Sequence, residues 1–125
     1  MMRVLIVDNE TFLLQGLGMA LQSDATEVKA VETGSAALRE VAAASYDLCF
    51  LDIYLPDING LEVLKSIKEA SPRTKVVMMT AGVVTAAMQA SIEKSADMFL
   101  TKPFDLLQVR MLMKSALGES RDTAA

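Results

Sequence analysis

The chain has 125 residues, 52% of them hydrophobic, which is enough for one domain with a buried core and too little for two. Twelve basic against sixteen acidic side chains give a net charge of −4, which argues against direct binding of nucleic acid or an anionic membrane by this segment. No apolar run approaches the roughly 18 residues that cross a bilayer, and the acidic turn after six residues of "MMRVLIVDNE" is unlike a signal peptide. A single Cys excludes an internal disulfide and suits the cytoplasm. The absence of His means that any imidazole a mechanism needs must come from a partner.

In chain order, "RVLIV" (3–7) predicts a first strand, and Leu13, Leu17, Ala20 and Leu21 then share a helical face with Thr11 as N-cap. "EVKAVE" (27–32) alternates and predicts an edge strand, followed by a helix after Ser35. "DLCFL" (47–51) is a continuous apolar run, and a helix follows Gly60 with Val63, Leu64 and Ile67 on one face. "KVVMM" (75–79) precedes a helix over 85–96, and "DMFLT" (97–101) precedes one over 105–117. "GESRDTAA" is small and polar, so we expect a domain over 1–118 and a tail or the start of a linker over 119–125.

Strands that are apolar throughout are covered on both faces, and strict β–α alternation implies right-handed crossovers. The expected fold is therefore a single doubly wound α/β domain with a parallel five-stranded sheet and five helices. In such sheets ligands gather at the carboxyl ends of the strands. The residues there are Asp8, Asn9 and Glu10, then Asp52, Thr80 and Lys102. Two close carboxylates resist joint ionisation unless a cation lies between them, which suits Mg²⁺ or Mn²⁺. An ammonium and a hydroxyl beside them suit a phosphoryl group, and an Asp so flanked can attack phosphorus. Each residue alone is an ordinary strand-end group; the specificity lies in their combination.

The set "VDNE" (7–10), "LDIYLPDING" (51–60), "MTA" (79–81) and "TKPF" (101–104) resembles the response-regulator receiver domain, the CheY-like module of two-component signalling, over residues 3 to about 117. The resemblance implies flavodoxin-like strand order 2-1-3-4-5. It implies Asp52 as acceptor of a phosphoryl group from the phosphohistidine of a histidine kinase or phosphotransfer protein. Asp8, Asn9, Asp52 and the backbone carbonyl of Tyr54 would be metal ligands. Thr80, Ala81 and Lys102 would bind the phosphoryl group, with Thr80 and Phe99 as switch residues. Pro103 would follow a cis bond, and Tyr54 and Gly82 would flank the route of attacking water.

Two departures from the family pattern stand out. Asn9 occupies a position where a second acid is usual, so weaker Mg²⁺ binding is expected, with Glu10 serving the first helical turn rather than replacing it. Phe99 replaces the more common Tyr or His, so its inward state would rest on packing alone.

Cys49 and most of the nine Met residues read as core. Leu106, Leu107, Val109, Met111, Leu112, Met113, Ala116 and Leu117 are too many apolar positions for one buried stripe. The resemblance to receivers implies that the 85–96, 97–101 and 105–117 segments form the output or homodimer face. Other classes fit less well. An aspartate-nucleophile phosphatase needs a D-x-D pair, which Asp52-Ile53-Tyr54 lacks, and no G-x-G-x-x-G follows the first strand. A receiver-like fold used only as a protein–protein module is the remaining alternative, favoured by Asn9 and opposed by Asp52, Thr80 and Lys102.

Overall fold

The computed structural model describes residues 1–82 and 84–124, with side chains through Ser115. Strands β1 (Met2–Val7), β2 (Thr26–Val31), β3 (Leu48–Asp52), β4 (Lys75–Thr80) and β5 (Met98–Thr101) form one parallel sheet of order β2-β1-β3-β4-β5. Helices α1 (Thr11–Leu21), α2 (Gly34–Ala43), α3 (Gly60–Ala70), α4 (Ala86–Ser95) and α5 (Leu106–Ala124) alternate with the strands.

The two helical layers explain why the strands read as apolar runs. Val4, Ile6, Leu48, Phe50, Val77 and Met79 pack with Leu14, Leu17 and Leu21 of α1 and Val109 of α5. The intervening residues Leu5, Val7, Cys49, Leu51, Val76 and Met78 pack with Val63, Leu64 and Ile67 of α3 and Ile92 of α4. Successive strand residues thus bury on opposite faces, each such side chain contributing about 1.5–3 kcal/mol. β2 alternates because it lies at the edge, with Glu27 exposed between buried Thr26 and half-buried Val28. Cys49 is fully buried, and burial pushes its thiol up to about 12, as a core residue requires.

Several boundaries shift by a residue or two, for local chemical reasons. Glu10, not Thr11, is the N-cap of α1; the Thr11 hydroxyl instead donates to Glu32, 3.2 Å away. The caps of α2, α3 and α4 are Thr33, Asn59 and Thr85, each accepting an N–H of its first turn. Leu14 joins the buried stripe of α1, while Leu13 is only half-buried. The backbone of α5 continues past Leu117, since its last turns hold no Pro and the single Gly118 costs a helix only about 1 kcal/mol. Leu106, Leu107 and Met111 are exposed while Val109 is buried; the side chains of Ala116 and Leu117 lie outside the described residues.

The β3–α3 connection is held from two sides. The Asp57 carboxylate accepts the N–H groups of Gly34 and Ser35 at 2.8 and 3.0 Å and the Ser35 hydroxyl at 2.7 Å. Those donors, the Ser35 hydroxyl foremost, hold its carboxyl well below the usual carboxylate range. At the other end Gly60 packs flat on the strand that ends in Asp52. A Cβ at position 60 would collide with the Asp52 carbonyl oxygen and lie 2.6 Å from Ile53 Cα and 2.7 Å from Ile53 O. Since all three neighbours are backbone, Gly60→Ala is expected to cost about 3 kcal/mol in urea unfolding. A loss under about 1 kcal/mol would show that this turn yields.

Candidate functional site

The register brings the strand ends together. Val7 pairs with Leu51, Asp52 with Met79, and Thr80 with Thr101, so Asp8, Asp52, Thr80 and Lys102 all emerge at one rim. The ladder runs just beyond the strands, with Asp8 N donating to Val31 O at 3.1 Å, Ile53 N to Met79 O at 3.1 Å and Lys102 N to Thr80 O at 2.7 Å. The rim lies where strand order reverses between β1 and β3.

At its centre the Lys102 ammonium donates to three carboxylates. They are Asp8 Oδ2 at 2.6 Å, Glu10 Oε1 at 3.0 Å and Asp52 Oδ2 at 3.1 Å. The Lys102 side chain is 9% exposed, that of Asp8 0% and that of Asp52 6%, whereas that of Glu10 is 59% exposed. Burial raises the Asp8 carboxyl above its ordinary range, and the nearby Asp52 adds to this against the opposing bond from Lys102. For Lys102, burial pulls downward, but the bonds to Asp8, Glu10 and Asp52 outweigh it and the ammonium holds its proton more tightly than usual.

The remaining oxygens are oriented by backbone. Asp8 Oδ1 accepts the Glu10 N–H at 2.9 Å, and Asp52 Oδ1 accepts the Tyr54 N–H at 3.1 Å. Thr80 is buried, and its Oγ accepts the Gly82 N–H at a long 3.3 Å. Tyr54 is half-exposed, and its ring lies 3.3 Å from where a Cβ on Gly82 would sit. Ala81 is exposed beside them, and Phe99 is half-buried against the core. The Lys102–Pro103 bond is cis.

The donor set fits a hard divalent cation. Asp8, Glu10 and Asp52 each bring a carboxylate oxygen within 4.8 Å of the others, and a lysine ammonium already lies bonded to all three. The cluster can therefore hold Mg²⁺. Asn9 is exposed, one residue beyond Asp8. The sequence reading placed Glu10 outside the metal site, yet its carboxylate turns into the cluster. Also unanticipated is the apolar exterior of α1, where Phe12 is 90% and Met19 80% exposed.

Comparison with known proteins agrees with this geometry. The chain is 34% identical to the transcriptional regulatory protein BasR of Escherichia coli over 93% of its length and 52% of that protein. It is 32% identical to the response regulator protein PmrA of Pseudomonas aeruginosa over 95% of its length and 56% of that protein. It thus spans about half the length of these curated relatives. A CheY-like receiver domain from Methanospirillum hungatei superposes with a TM-score of 0.92 at 26% identity, covering 98% of both chains. The response regulator TrrA of Thermotoga maritima, solved with Mg²⁺ and a beryllium fluoride, superposes with a TM-score of 0.80 at 30% identity, over 94% of this chain and 100% of that one. Residues 4–114 match the family model of the response regulator receiver domain, and the chain belongs to that family, the phosphoryl-accepting module of two-component signalling.

Proposed function

We propose that Asp52 is the residue that takes the phosphoryl group, from a phosphohistidine carried by a histidine kinase or phosphotransfer protein. The observation that carries this is the convergence of Asp52, Asp8 and the Lys102 ammonium at one rim. Oδ1 of Asp52 is tied to the Tyr54 N–H and Oδ2 faces Lys102, which supports Oδ2 as the oxygen that would attack phosphorus. The Asp52 O–P bond forms as the partner's P–N bond breaks, and the partner's imidazole leaves with the electron pair. Asp8, Asp52, Asn9 or Glu10, and the Tyr54 carbonyl would hold Mg²⁺, which when bound neutralises the charge gathered around the transferring group.

Lys102, Thr80 and the Ala81 backbone then hold the phosphoryl oxygens. Attraction of the Thr80 hydroxyl towards them biases the protein to an active state, with Phe99 moving in the same equilibrium. Tyr54 and Gly82 border the approach of water that ends the signal, so phosphate gain and loss are both promoted by the domain without a separate enzyme. The exposed Phe12, two residues past Glu10, offers the partner an apolar foothold beside the rim.

The output surface is the face of α4, β5 and α5, where Leu107 and Met111 are exposed and a homodimer can form. Relatives named as transcriptional regulators are about twice as long as this chain, and we read residues 1–118 as the receiver and 119–125 as a polar tail or the start of a linker to an effector. The protein would act in the cytoplasm, where the kinase's phosphohistidine is presented.

The test is intact-protein mass spectrometry after incubation with acetyl phosphate and Mg²⁺, with the acyl phosphate mapped by borohydride reduction. One phosphoryl mass on Asp52, absent when Mg²⁺ is chelated, is expected. No gain at any metal concentration, or a label elsewhere, overturns the reading and favours a module used only for protein contacts.

A further inference from the structure

We propose that Glu10 supplies the carboxylate that position 9 lacks, so that the divalent cation is held by the charge of Asp8, Asp52 and Glu10 rather than by an Asp8–Asn9 pair. This rests on the reading of the rim as a metal-assisted phosphoryl site. The side chain of Asn9 is a neutral amide, so an Asp8–Asn9 pair with Asp52 presents two negative charges where a standard receiver presents three. Glu10 restores the third.

Three features of the local chain turn it inward. The Asp8 carboxylate accepts the Glu10 N–H at 2.9 Å, bending the backbone just after β1. Glu10 is the N-cap of α1 with extended φ and ψ of −86° and 103°, and its side chain makes no capping hydrogen bond. Its carboxylate is therefore not committed to the helix, and lies 3.0 Å from the ammonium that Asp8 and Asp52 also hold. That ammonium marks where a positive charge sits among the three acids. A cation of charge two gains more from the same three groups than the single charge of Lys102 does. Because the Glu10 side chain is 59% exposed, solvent and salt screen its share, and a moderate effect is expected.

The experiment is Mn²⁺ binding by electron paramagnetic resonance, with Mg²⁺ by competition, on the full chain without any phosphoryl donor. Parent, Glu10→Gln, Asn9→Asp and the double variant are compared. Glu10→Gln is expected to weaken binding roughly tenfold in the parent, as for one partly screened charge beside a dication. In the Asn9→Asp background the loss should shrink to about twofold or less, since the acid at position 9 makes Glu10 redundant. Glu10→Ala should show the same pattern, and unchanged metal-free melting keeps folding apart from binding.

Equal losses in both backgrounds would overturn the substitution, leaving Glu10 a general contributor of negative charge. Tighter binding in Glu10→Gln would overturn it more strongly, because Glu10 would then be a tether that keeps Lys102 in the cation's place. With no donor present, neither result bears on whether Asp52 is phosphorylated. Lost uptake alongside intact Glu10-dependent binding would count against the role of Asp52 instead.

Discussion

Replacing Lys102 by Met is expected to cost the metal-free protein about 4 kcal/mol at pH 7. The side chain of Met fills a similar volume but leaves Asp8 and Asp52, both buried, without the cation that bonds each of them. The folded variant escapes two unpaired charges by binding a proton on one carboxyl. Keeping a carboxyl of ordinary pKa protonated at pH 7 costs about 1.4 kcal/mol for each unit above about 3.9, which caps the loss near 4 kcal/mol. The sign of the pH dependence follows. The variant's native state binds a proton that its unfolded state does not, so its deficit shrinks as pH falls, to about 1.5 kcal/mol at pH 5. Urea unfolding with chelator at the two pH values measures this. Added Mg²⁺ should stabilise the variant more than the parent, because it replaces the missing charge. A deficit independent of pH would mean that Lys102 matters for packing alone. Phosphoryl uptake should fall at least a hundredfold even with Mg²⁺ saturating, since nothing else described at the rim is a cation that can hold the transferring oxygens.

Asp52→Asn should act in the opposite direction on stability while abolishing phosphoryl uptake. Its amide oxygen can still accept the Tyr54 N–H, and Lys102 keeps Asp8 and Glu10 as partners. What disappears with the Asp52–Lys102 bond is the repulsion between two neighbouring buried carboxylates, one cause of the raised Asp8 carboxyl, and the relief of that repulsion is the larger effect. The metal-free variant is therefore expected to gain about 1 kcal/mol and to respond less to Mg²⁺. Thermal melting with and without Mg²⁺ checks both. A less stable variant would show that the Asp52–Lys102 bond outweighs the repulsion.

Much of this site was legible because strand ends are easy to find. Apolar runs ending in Asp8, Asp52, Thr80 and Lys102 place those residues at one rim once the sheet is parallel, and the order of elements shows that it is. Glu10 was not legible, because its direction depends on a helix that begins one residue earlier than Thr11 suggested and on a cap that forms no side-chain bond. The exterior of α1 was hidden for a related reason. Phe12, Leu13, Leu14, Leu17, Met19 and Leu21 surround the helix, so no single stripe stands out, and only the packed structure selects Leu14, Leu17 and Leu21. Asp57 reads as a turn residue in "LPDING", whereas its partners Gly34 and Ser35 lie 22–23 positions away, beyond any local pattern.

That Asp57 clamp gives the rim a stiff half and a compliant half. On the β2 side, three hydrogen bonds fasten the segment after Asp52 to the start of α2, and Gly60 is wedged against the same strand. On the β4 side, the turn after Thr80 shows among the described residues a long 3.3 Å bond from the Gly82 N–H to the Thr80 hydroxyl, and β5 beyond it has four residues. Among the described residues the rim is therefore fastened more densely towards β2 and α2 than towards α4, β5 and α5, so that the two flanks of Asp52 are unequally tied to the sheet.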